Sequence, residues 1–296
     1  MDKLVLIDGN AILHRAFHAL PPLTTKRGEP INAVYGLISM LLRVIQDLKP
    51  THIVVCFDEK EPTFRHKEFP EYQAQRPRMA DELSSQFDKA RKVVEAFGIP
   101  IFSKGGFEAD DVIGTLAKQA KEEVVVVTGD RDILQLVNDR VKVYLPMVGL
   151  STAKLMGEDE VVEKMGVHPS QIADYKALVG DPSDNYPGVS GIGPKTAIHL
   201  LAEYKNLEGV YKNLKKISPQ VGEKLKKGKK EADLSQRLAK IVTNVPVSLD
   251  TESAGKWDVD SQKVLDLFSE FGFKTLTERV KKVGKEIDKE KQTTLF

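Results

Sequence analysis

Residues 3–10 read KLVLIDGN, a short run of Leu, Val and Ile that ends on Asp8. Such runs are typical of strands buried on both faces of a parallel sheet. Four of them predict strands at Lys3–Ile7, His52–Phe57, Glu123–Thr128 and Val141–Leu145. Stretches of helical period separate them, at 33–48, 83–97 and 111–121. Strands that alternate with helices predict an α/β fold with a doubly wound, mainly parallel sheet.

The strand signal stops near residue 150, and only short helices are predicted beyond it: Glu158–Met165, Pro169–Leu178, Pro194–Glu203, Leu207–Leu214, Ala232–Val242 and Ser261–Phe271. We therefore expect an α/β core over residues 1–175, a helical part over 176–285 and a flexible charged tail over 286–296. Residues 58–82 fit neither pattern. This polar insertion with three prolines follows a predicted strand directly, and such insertions are usually functional or disordered.

The composition narrows the class of protein. With 296 residues, 41% hydrophobic and 29% charged, the chain can build a core, which excludes a disordered or fibrous protein. No apolar run is long enough to predict a membrane span, and the N-terminus lacks the pattern of a secretory signal. The single cysteine, Cys56, excludes an internal disulfide and any multi-cysteine metal site. We expect a cytoplasmic globular protein.

The net charge of +1 conceals two oppositely charged regions. Residues 101–200 hold 10 Lys and Arg against 15 Asp and Glu, whereas residues 205–240 hold 11 against 4. The basic region is compatible with a solvated helix face and also with a surface that binds a phosphate backbone.

Seven acidic residues lie where a predicted strand ends or where a helix opens beside it: Asp8, Asp58, Glu108, Asp110, Asp111, Asp130 and Asp132. In open α/β sheets the reactive crevice lies beyond the carboxyl ends of the strands. Any one of these residues is explained equally well by a turn or a helix cap. Seven like charges at one edge repel each other, however, and a cation relieves that repulsion.

A ligand set made of oxygens selects a hard cation, Mg²⁺ or Mn²⁺, and the number of carboxylates suggests two ions. Two ions in one site activate a water and stabilise the leaving oxygen of a phosphodiester. The residues therefore predict metal-dependent phosphodiester hydrolysis. The sequence contains no readable serine triad or cysteine–histidine pair.

The segment Gly180–Leu201, GDPSDNYPGVSGIGPKTAIHLL, predicts a helix–hairpin–helix. Its glycines permit positive φ and close backbone approach, and Pro194 starts the second helix. Amides at that helix N-terminus, with Lys195 beside them, would face a phosphate. A glycine-rich connector between helices is the structural alternative. The GIGPKT sequence is not a P-loop, because Pro194 separates Gly193 from Lys195 and no strand precedes it.

Five motifs together resemble the 5′-nuclease (flap endonuclease) family, and most closely the 5′→3′ exonuclease domain of bacterial DNA polymerase I: LVLIDGN, VVCFDEK, GFEADDVIGTLA, VVTGDRDILQLV and VGDPSDNYPGVSGIGPKTA. The resemblance covers residues 1–285. It implies a PIN/FEN-like sheet and a helix-three-turn-helix at 180–201. The chain ends where a polymerase would continue, so we expect a freestanding nuclease or an excised domain.

The resemblance also implies a set of ligands. The first divalent ion would be held by Asp8, Asp58, Glu108 and Asp110. The second would be held by Asp110, Asp130, Asp132 and Asp184, with Asp111 and Asp181 in support. A K⁺ ion at the hairpin would be held by the backbone carbonyls of Leu178, Val179, Pro187, Val189 and Ile192. The hairpin residues expected to contact DNA are Gly188, Gly191, Gly193, Lys195 and Thr196.

Residues 60–82 would form the family's arch over the active site. The usual arch motif is Tyr-Lys-x-x-Arg, whereas this chain has Gln73 between Tyr72 and Arg76. Losing a charge that stabilises the transition state costs on the order of 10²-fold in rate. The cations expected at the phosphate are Arg76 and, in place of the missing lysine, Arg65, Lys67 or Arg78. Tyr72 and Phe69 are expected either to stack on an unpaired base or to pack beneath the arch.

The last five residues, Gln292–Phe296, resemble the QxxLF peptide that anchors bacterial proteins in the sliding clamp. Gln292, Leu295 and Phe296 would be the anchors.

These features predict a monomeric, nucleoid-associated enzyme that cuts flapped, nicked or branched DNA, and RNA–DNA junctions, from the 5′ end. Primer removal and DNA repair are the implied roles. One alternative is a scaffold that binds DNA junctions with weak or no turnover, which Gln73 favours. The other is a related metal-dependent ribonuclease, against which the glycine hairpin argues.

Overall fold

The computed structural model of the protein describes residues 2–147 and 152–294, with side chains described as far as Glu290. Its main sheet has six strands: β1 (Lys3–Asp8), β2 (His52–Cys56), β3 (Ile101–Phe102), β4 (Glu123–Val127), β5 (Val141–Pro146) and β6 (Ala153–Met156). The strand order is β3-β2-β1-β4-β5-β6. The first five strands are parallel, and β6 is antiparallel to β5. The predicted mainly parallel sheet is confirmed.

Helices cover both faces of this sheet and continue beyond it: α1 (Gly9–Ala19), α2 (Asn32–Leu48), α3 (Phe64–Glu68), α4 (Asp81–Ser84), α5 (Phe87–Ala96), α6 (Ala109–Gln119), α7 (Glu158–Met165), α8 (Ile172–Val179), α9 (Pro194–Tyr204), α10 (Leu207–Lys212), α11 (Pro219–Lys227), α12 (Lys229–Ala239), α13 (Thr251–Ala254), α14 (Gln262–Phe271) and α15 (Lys274–Thr294). Short 3-10 helices lie at Asp132–Leu136, Pro169–Gln171 and Leu214–Lys216. Two short strands, β7 (Gly180–Asp181) and β8 (Tyr186–Pro187), pair in antiparallel fashion before α9.

The side chains of β1 alternate between two hydrophobic cores, as its pleat requires. Leu4 and Leu6 pack on the side of α6 and the helices from α7 to α12. Val5 and Ile7 pack on the side of α1, α2, α5, α14 and α15. Because helices cover both faces, the sheet is doubly wound, as predicted.

Two strands of the main sheet were not predicted. β3 has only two residues, which is too short for a pattern to be recognised. β6 contradicts the expectation that strands end near residue 150. It lies at the edge of the sheet with Lys154 and Leu155 exposed, so its sequence lacks the apolar run of a buried strand.

The segment 286–296, expected to be a flexible tail, is helical as far as Thr294, where α15 ends. The helix packs on α2 through buried Val280 and Val283. Lys49 Nζ contacts Glu290 Oε1 at 2.6 Å, which ties the tail side of α15 to the end of α2. Leu295, Phe296 and the side chain of Gln292 lie outside the described residues. Of the helices described, none has the length and apolar character that a membrane span requires.

Candidate metal centre and nucleic-acid interface

A crevice of about 670 Å³ opens at the carboxyl edge of the sheet, as the strand order requires. Seven of its lining residues are acidic groups that the sequence analysis selected: Asp8, Asp58, Glu108, Asp110, Asp130, Asp132 and Asp184. The segment after β2 also lines the crevice, through Lys60, His66, Gln73 and Arg76. Residues far apart in the chain therefore meet in one concave site.

The strand-end carboxylates of Asp8 and Asp58 accept hydrogen bonds from the first turns of α1 and α6. Asp8 is 4% exposed. Its Oδ1 accepts from the Ala11 amide at 2.9 Å and its Oδ2 from Thr128 Oγ1 at 2.7 Å. Asp58 Oδ1 accepts from the Ala109 amide at 2.7 Å, at the start of α6. Asp8 is the N-cap of α1, and Asp58 accepts from the first amide of α6; both residues also line the crevice, so the structural and functional interpretations coexist.

These carboxylates resist ionisation in the metal-free protein. Burial raises the pKa of Asp8 to about 7, and the charges of Asp58 and Asp130 add to the shift. Burial likewise raises the pKa of Glu108 to about 7. The pKa of Asp110 lies well above its usual value, because it is buried and faces Asp130, Asp8 and Glu108. A divalent cation would favour the ionised forms, and an all-oxygen donor set suits a hard ion.

A second group of carboxylates includes two that line the crevice, Asp132 and Asp184. Oxygens of Asp132, Asp181 and Asp184, which we call the acidic triad, lie within 4.8 Å of one another. Lys176 of α8 contacts the carboxylates of Asp132 and Asp181. Burial raises the pKa of Asp132 to about 6, although Lys176 opposes that shift. Burial would raise the pKa of Asp181, but Lys176 and the hydrogen bonds from Ser183 together outweigh it, so the pKa of Asp181 is lowered.

Asp111 is not among the residues that line the crevice, so it is not placed to ligate a metal directly, and its supporting role stays a prediction. Its side chain is completely buried and makes a bidentate ion pair with Arg65, with Nη1–Oδ2 at 2.7 Å and Nη2–Oδ1 at 2.9 Å. Its oxygens also accept from the amides of Glu108 and Val242. These contacts are those of the turn or cap interpretation.

Arg65 is not available to DNA, which contradicts the prediction for this residue. It is 2% exposed, and besides Asp111 it donates to the carbonyls of Leu238 and Lys240. Arg65 thus joins α3, at the base of the arch, to α6 and to the end of α12. The buried pair is structural, because removing either partner leaves an uncompensated charge.

Tyr72 packs beneath the arch and is not exposed for base stacking. It is 3% exposed, and its ring stacks on Tyr186 with centroids 6.4 Å apart and an interplanar angle of 11°. Its hydroxyl donates to Glu108 and Asp184, each at 3.3 Å. Phe69 is half-buried against the same cluster.

Gln73 and Arg76 both contact Asp184. The side-chain Nε2 of Gln73 donates to Asp184 Oδ1 at 3.2 Å, and the backbone N–H of Gln73 donates to the backbone carbonyl of Asp184 at 2.9 Å. Arg76 Nη2 lies 2.6 Å from Asp184 Oδ1. Gln73 has φ of +58°, an unusual conformation for a residue other than glycine. Of the other arch cations, Lys67 is exposed on α3, and Arg78 pairs with Asp81 in solvent.

Two of the three hairpin glycines have the geometry that was predicted, with positive φ at Gly191 and a close backbone approach at Gly188, whereas Gly193 has φ of −100° and open space beside it. A Cβ on Gly188 would lie 2.3 Å from the Gly180 nitrogen, so only glycine fits that approach. Pro194 opens α9, Gly193 is its N-cap, and Lys195 is exposed in the first turn. Lys224 Nζ donates to the Gly191 carbonyl at 3.1 Å, which brings α11 to the hairpin.

Three of the carbonyls expected to hold K⁺ already accept hydrogen bonds from the protein. The Leu178 carbonyl accepts from the Val189 amide at 2.9 Å, and the Val189 carbonyl accepts from the Ile192 amide at 2.9 Å. The Pro187 carbonyl accepts from Ser235 Oγ. A carbonyl has a second lone pair, so these bonds leave the K⁺ prediction standing.

Lys176 and Tyr186 belong to the site but were not predicted from the sequence. Lys176 lies five residues before Asp181 and contacts it. A lysine so close in sequence to Asp181 and Asp184 was a signal that could have identified it. Tyr186 lies inside the quoted hairpin motif but offered no distinguishing feature there. His14 of α1 also lines the crevice, and burial lowers its pKa.

Two family models match the chain. The 5′–3′ exonuclease N-terminal, resolvase-like domain matches residues 3–166, and the 5′–3′ exonuclease C-terminal SAM fold matches residues 167–262. The chain is 43% identical over 94% of its length to DNA polymerase I of Caldicellulosiruptor bescii and 40% identical over 94% to that of Bacillus subtilis. It spans 33% and 32% of those proteins, about a third of their length.

Two solved structures share the fold at low sequence identity. A flap endonuclease of bacteriophage T5, in a complex with DNA and metal ions, is 20% identical with a TM-score of 0.68. That match covers 95% of this chain and 97% of the other. Flap endonuclease-1 of Methanococcus jannaschii is 19% identical with a TM-score of 0.62, and the match covers 97% and 93% of the two chains.

Proposed function

The chain belongs to the 5′–3′ exonuclease family, and from that premise we propose that it hydrolyses phosphodiester bonds in flapped, nicked or branched DNA, and in RNA–DNA junctions, from the 5′ end. The observation that carries this proposal is the convergence of buried carboxylates with raised pKa in a single crevice. Primer removal and repair are the processes that produce such substrates.

We propose that two Mg²⁺ or Mn²⁺ ions bind at this edge. Asp8, Asp58, Glu108 and Asp110 would hold one, and Asp110, Asp130 and the acidic triad would hold the other. When bound, such ions supply an activated water and stabilise the departing 3′ oxygen. The residues fit this role because they are oxygen donors whose mutual repulsion and burial leave them unstable as anions without a cation.

The residues of the arch would then orient the substrate. Arg76 is half-exposed over the crevice beside Asp184, where its guanidinium can meet the charge of a phosphate. Gln73 adds hydrogen-bonding capacity without charge, so we expect modest turnover. Lys67 and Arg78 are exposed arch cations that we propose approach the DNA.

The hairpin and the basic helices behind it would bind the duplex. The glycine backbone, the N-terminus of α9 and Lys195 would face one phosphate, with Thr196 beside them and with K⁺ on the hairpin carbonyls. Exposed lysines of α11 and the preceding 3-10 helix extend this surface. Such contacts recognise the backbone without reading sequence.

The direct test is cleavage of a 5′-labelled flap duplex with Mn²⁺, followed on a gel. We expect a short 5′-labelled product that ends in a 3′-hydroxyl and that does not form in EDTA. An Asp8→Asn variant that cleaves as fast as the wild type would overturn the proposal, since Asp8 lines the crevice and would hold one of the ions. A matched RNA substrate cut faster than flap DNA would instead favour a ribonuclease.

We also propose that Gln292, Leu295 and Phe296 bind a bacterial sliding clamp. Deleting residues 292–296 should abolish co-elution with a clamp in gel filtration while leaving cleavage of the isolated flap unchanged. Unaltered co-elution of the truncated chain would contradict this assignment. The elution volume of the chain alone on the same column tests the expected monomeric state.

A further inference from the structure

The hydroxyl of Tyr186 has no hydrogen-bond partner. Among the buried polar side-chain atoms of the described residues, it is the one that lacks a partner. Tyr186 is 3% exposed, so bulk water does not satisfy this oxygen. Buried hydroxyls are nearly always hydrogen-bonded, and an exception of this kind needs an explanation.

The Tyr186 side chain lies next to the acidic triad. Tyr186 and Asp181 are direct partners in the β7–β8 pair, so both side chains project to the same face of that ribbon. Asp184 lies two residues before Tyr186 in the connecting turn. The carboxylates of all three triad residues lie near enough to act electrostatically on the phenol, whose O–H group is a hydrogen-bond donor at neutral pH.

Packing explains the ring of Tyr186 but not its oxygen. The ring stacks on Tyr72 and contacts Leu238 and Ala239, and a phenylalanine would make the same contacts. The stacked neighbour shows the contrast, because the Tyr72 hydroxyl is satisfied by Glu108 and Asp184. The unsatisfied Tyr186 hydroxyl therefore indicates a hydrogen-bond acceptor that is present only when a ligand is bound.

We propose that Tyr186 is a positioning residue of the cation site at the acidic triad: its phenol donates a hydrogen bond to a water molecule that the bound divalent cation brings with it. Hydrated cations such as Mg²⁺ and Mn²⁺ keep several waters when carboxylates bind them. Outer partners that hold such ligands affect metal affinity directly. This inference rests on the proposed function, since it assumes that the triad binds a cation.

The test is a Mn²⁺ titration of the full chain without DNA, in which the signal of free Mn²⁺ is measured by electron paramagnetic resonance. Tyr186→Phe keeps the ring and removes only the hydroxyl. We expect it to weaken one class of Mn²⁺ site by about tenfold and to leave the other class unchanged. Tyr211→Phe is the matched control, because its phenol donates to the Leu225 carbonyl at 3.1 Å in α11 rather than to the triad.

A second measurement separates this role from a structural one. Without metal, Tyr186→Phe should melt at the same temperature as the wild type or higher, because no hydrogen bond is lost. With Mn²⁺, its rise in Tm should be smaller than that of the wild type. A lower Tm without metal together with an unchanged Mn²⁺ effect would overturn the proposal, as would superimposable Mn²⁺ isotherms.

The two levels of inference fail in different ways. Wild-type protein that binds Mn²⁺ but does not cleave flap DNA would defeat the proposed function and leave the role of Tyr186 intact. Wild-type protein that cleaves, with Tyr186→Phe binding Mn²⁺ normally, would defeat the role of Tyr186 alone. Wild-type protein that binds no Mn²⁺ would defeat both.

Discussion

The crevice and the basic helices use charge in opposite ways. In the crevice, carboxylates are buried, interact with one another and are fixed by specific hydrogen bonds. On α11 and α12, the lysines are exposed, and several pair with an acid three or four residues away. Buried charges act individually and are costly to change, whereas exposed charges are screened and contribute through their number. The crevice is therefore suited to chemistry and the basic surface to affinity.

The largest effect is expected at Asp110, on the crevice side of α6. Asp110→Asn should reduce flap cleavage by about 10²–10³-fold, comparable with removing one electrostatic group from an active site. The metal-free protein should not lose stability, because Asp110 repels Asp130, Asp8 and Glu108. Single-turnover rates and thermal melts measure both quantities.

Asp139→Asn, which removes an exposed acid from a turn, is the control for that experiment. Its cleavage rate should equal that of the wild type. If Asp110→Asn cleaved DNA no more slowly than this control, a buried crevice carboxylate would contribute no more to cleavage than an exposed one, which would contradict the contrast between the two regions.

The neighbouring residue should behave in the reverse way. Asp111→Asn breaks the buried pair with Arg65, in which the two side chains are 0% and 3% exposed, and should cost about 3–5 kcal/mol of stability. Urea denaturation should show a lower midpoint with an unchanged m-value. The double variant Arg65→Met with Asp111→Leu should recover part of the loss, because it removes both charges together. A fully stable Asp111→Asn would show that this pair is not structural.

The adjacent residues Asp110 and Asp111 also show where sequence reasoning ends. The strand ends correctly predicted Asp8 and Asp58, because parallel strands place their carboxyl ends at one edge whatever the details of packing. Successive helical residues point about 100° apart, so one of the two acids must turn from the crevice. Which one turns depends on the partners Arg65 and Val242, which come from distant parts of the chain.

Long-range contacts account for the other differences. Tyr72 is buried because Tyr186 and Asp184 meet it from the other half of the chain. α15 forms because Val280 and Val283 pack on α2, an interaction hidden by its many charges. Local pattern predicted the elements, and tertiary packing decided which side chains remain accessible.

The buried carboxylates should make the effect of metal on stability depend on pH. The pKa values of Asp8 and Glu108, about 7 each, exceed their usual values, so the metal-free folded state holds more protons than the unfolded state between about pH 4 and 7. These groups therefore contribute stability at low pH that is lost as the pH rises through 7. A bound cation reverses the loss, because it stabilises the ionised forms.

The Mn²⁺-induced rise in Tm should thus be several degrees larger at pH 8 than at pH 5.5, since 1 kcal/mol moves Tm by about 2–4 °C in a protein of this size. Differential scanning fluorimetry in matched buffers measures it. Asp110→Asn should flatten the dependence. An equal rise in Tm at both pH values would mean that the crevice carboxylates do not titrate with the metal.

The smallest effect is expected on the basic surface. Each single lysine should contribute little to DNA affinity, and that contribution should fall as the salt concentration rises. Lys224 is the most informative, because its contact with the Gly191 carbonyl places its charge at the hairpin. Lys224→Gln should weaken flap DNA binding modestly and reduce the slope of log K against log salt by about one unit, as expected for one lost phosphate contact. Lys256→Gln, whose side chain pairs with Glu252 in α13, should leave the slope unchanged. Fluorescence anisotropy at several KCl concentrations, with Ca²⁺ in place of a catalytic metal, measures the slope. If Lys224→Gln lost most of the affinity at every salt concentration instead, this lysine would act as an individual buried charge does, and the contrast between the two regions would have to be redrawn at the hairpin.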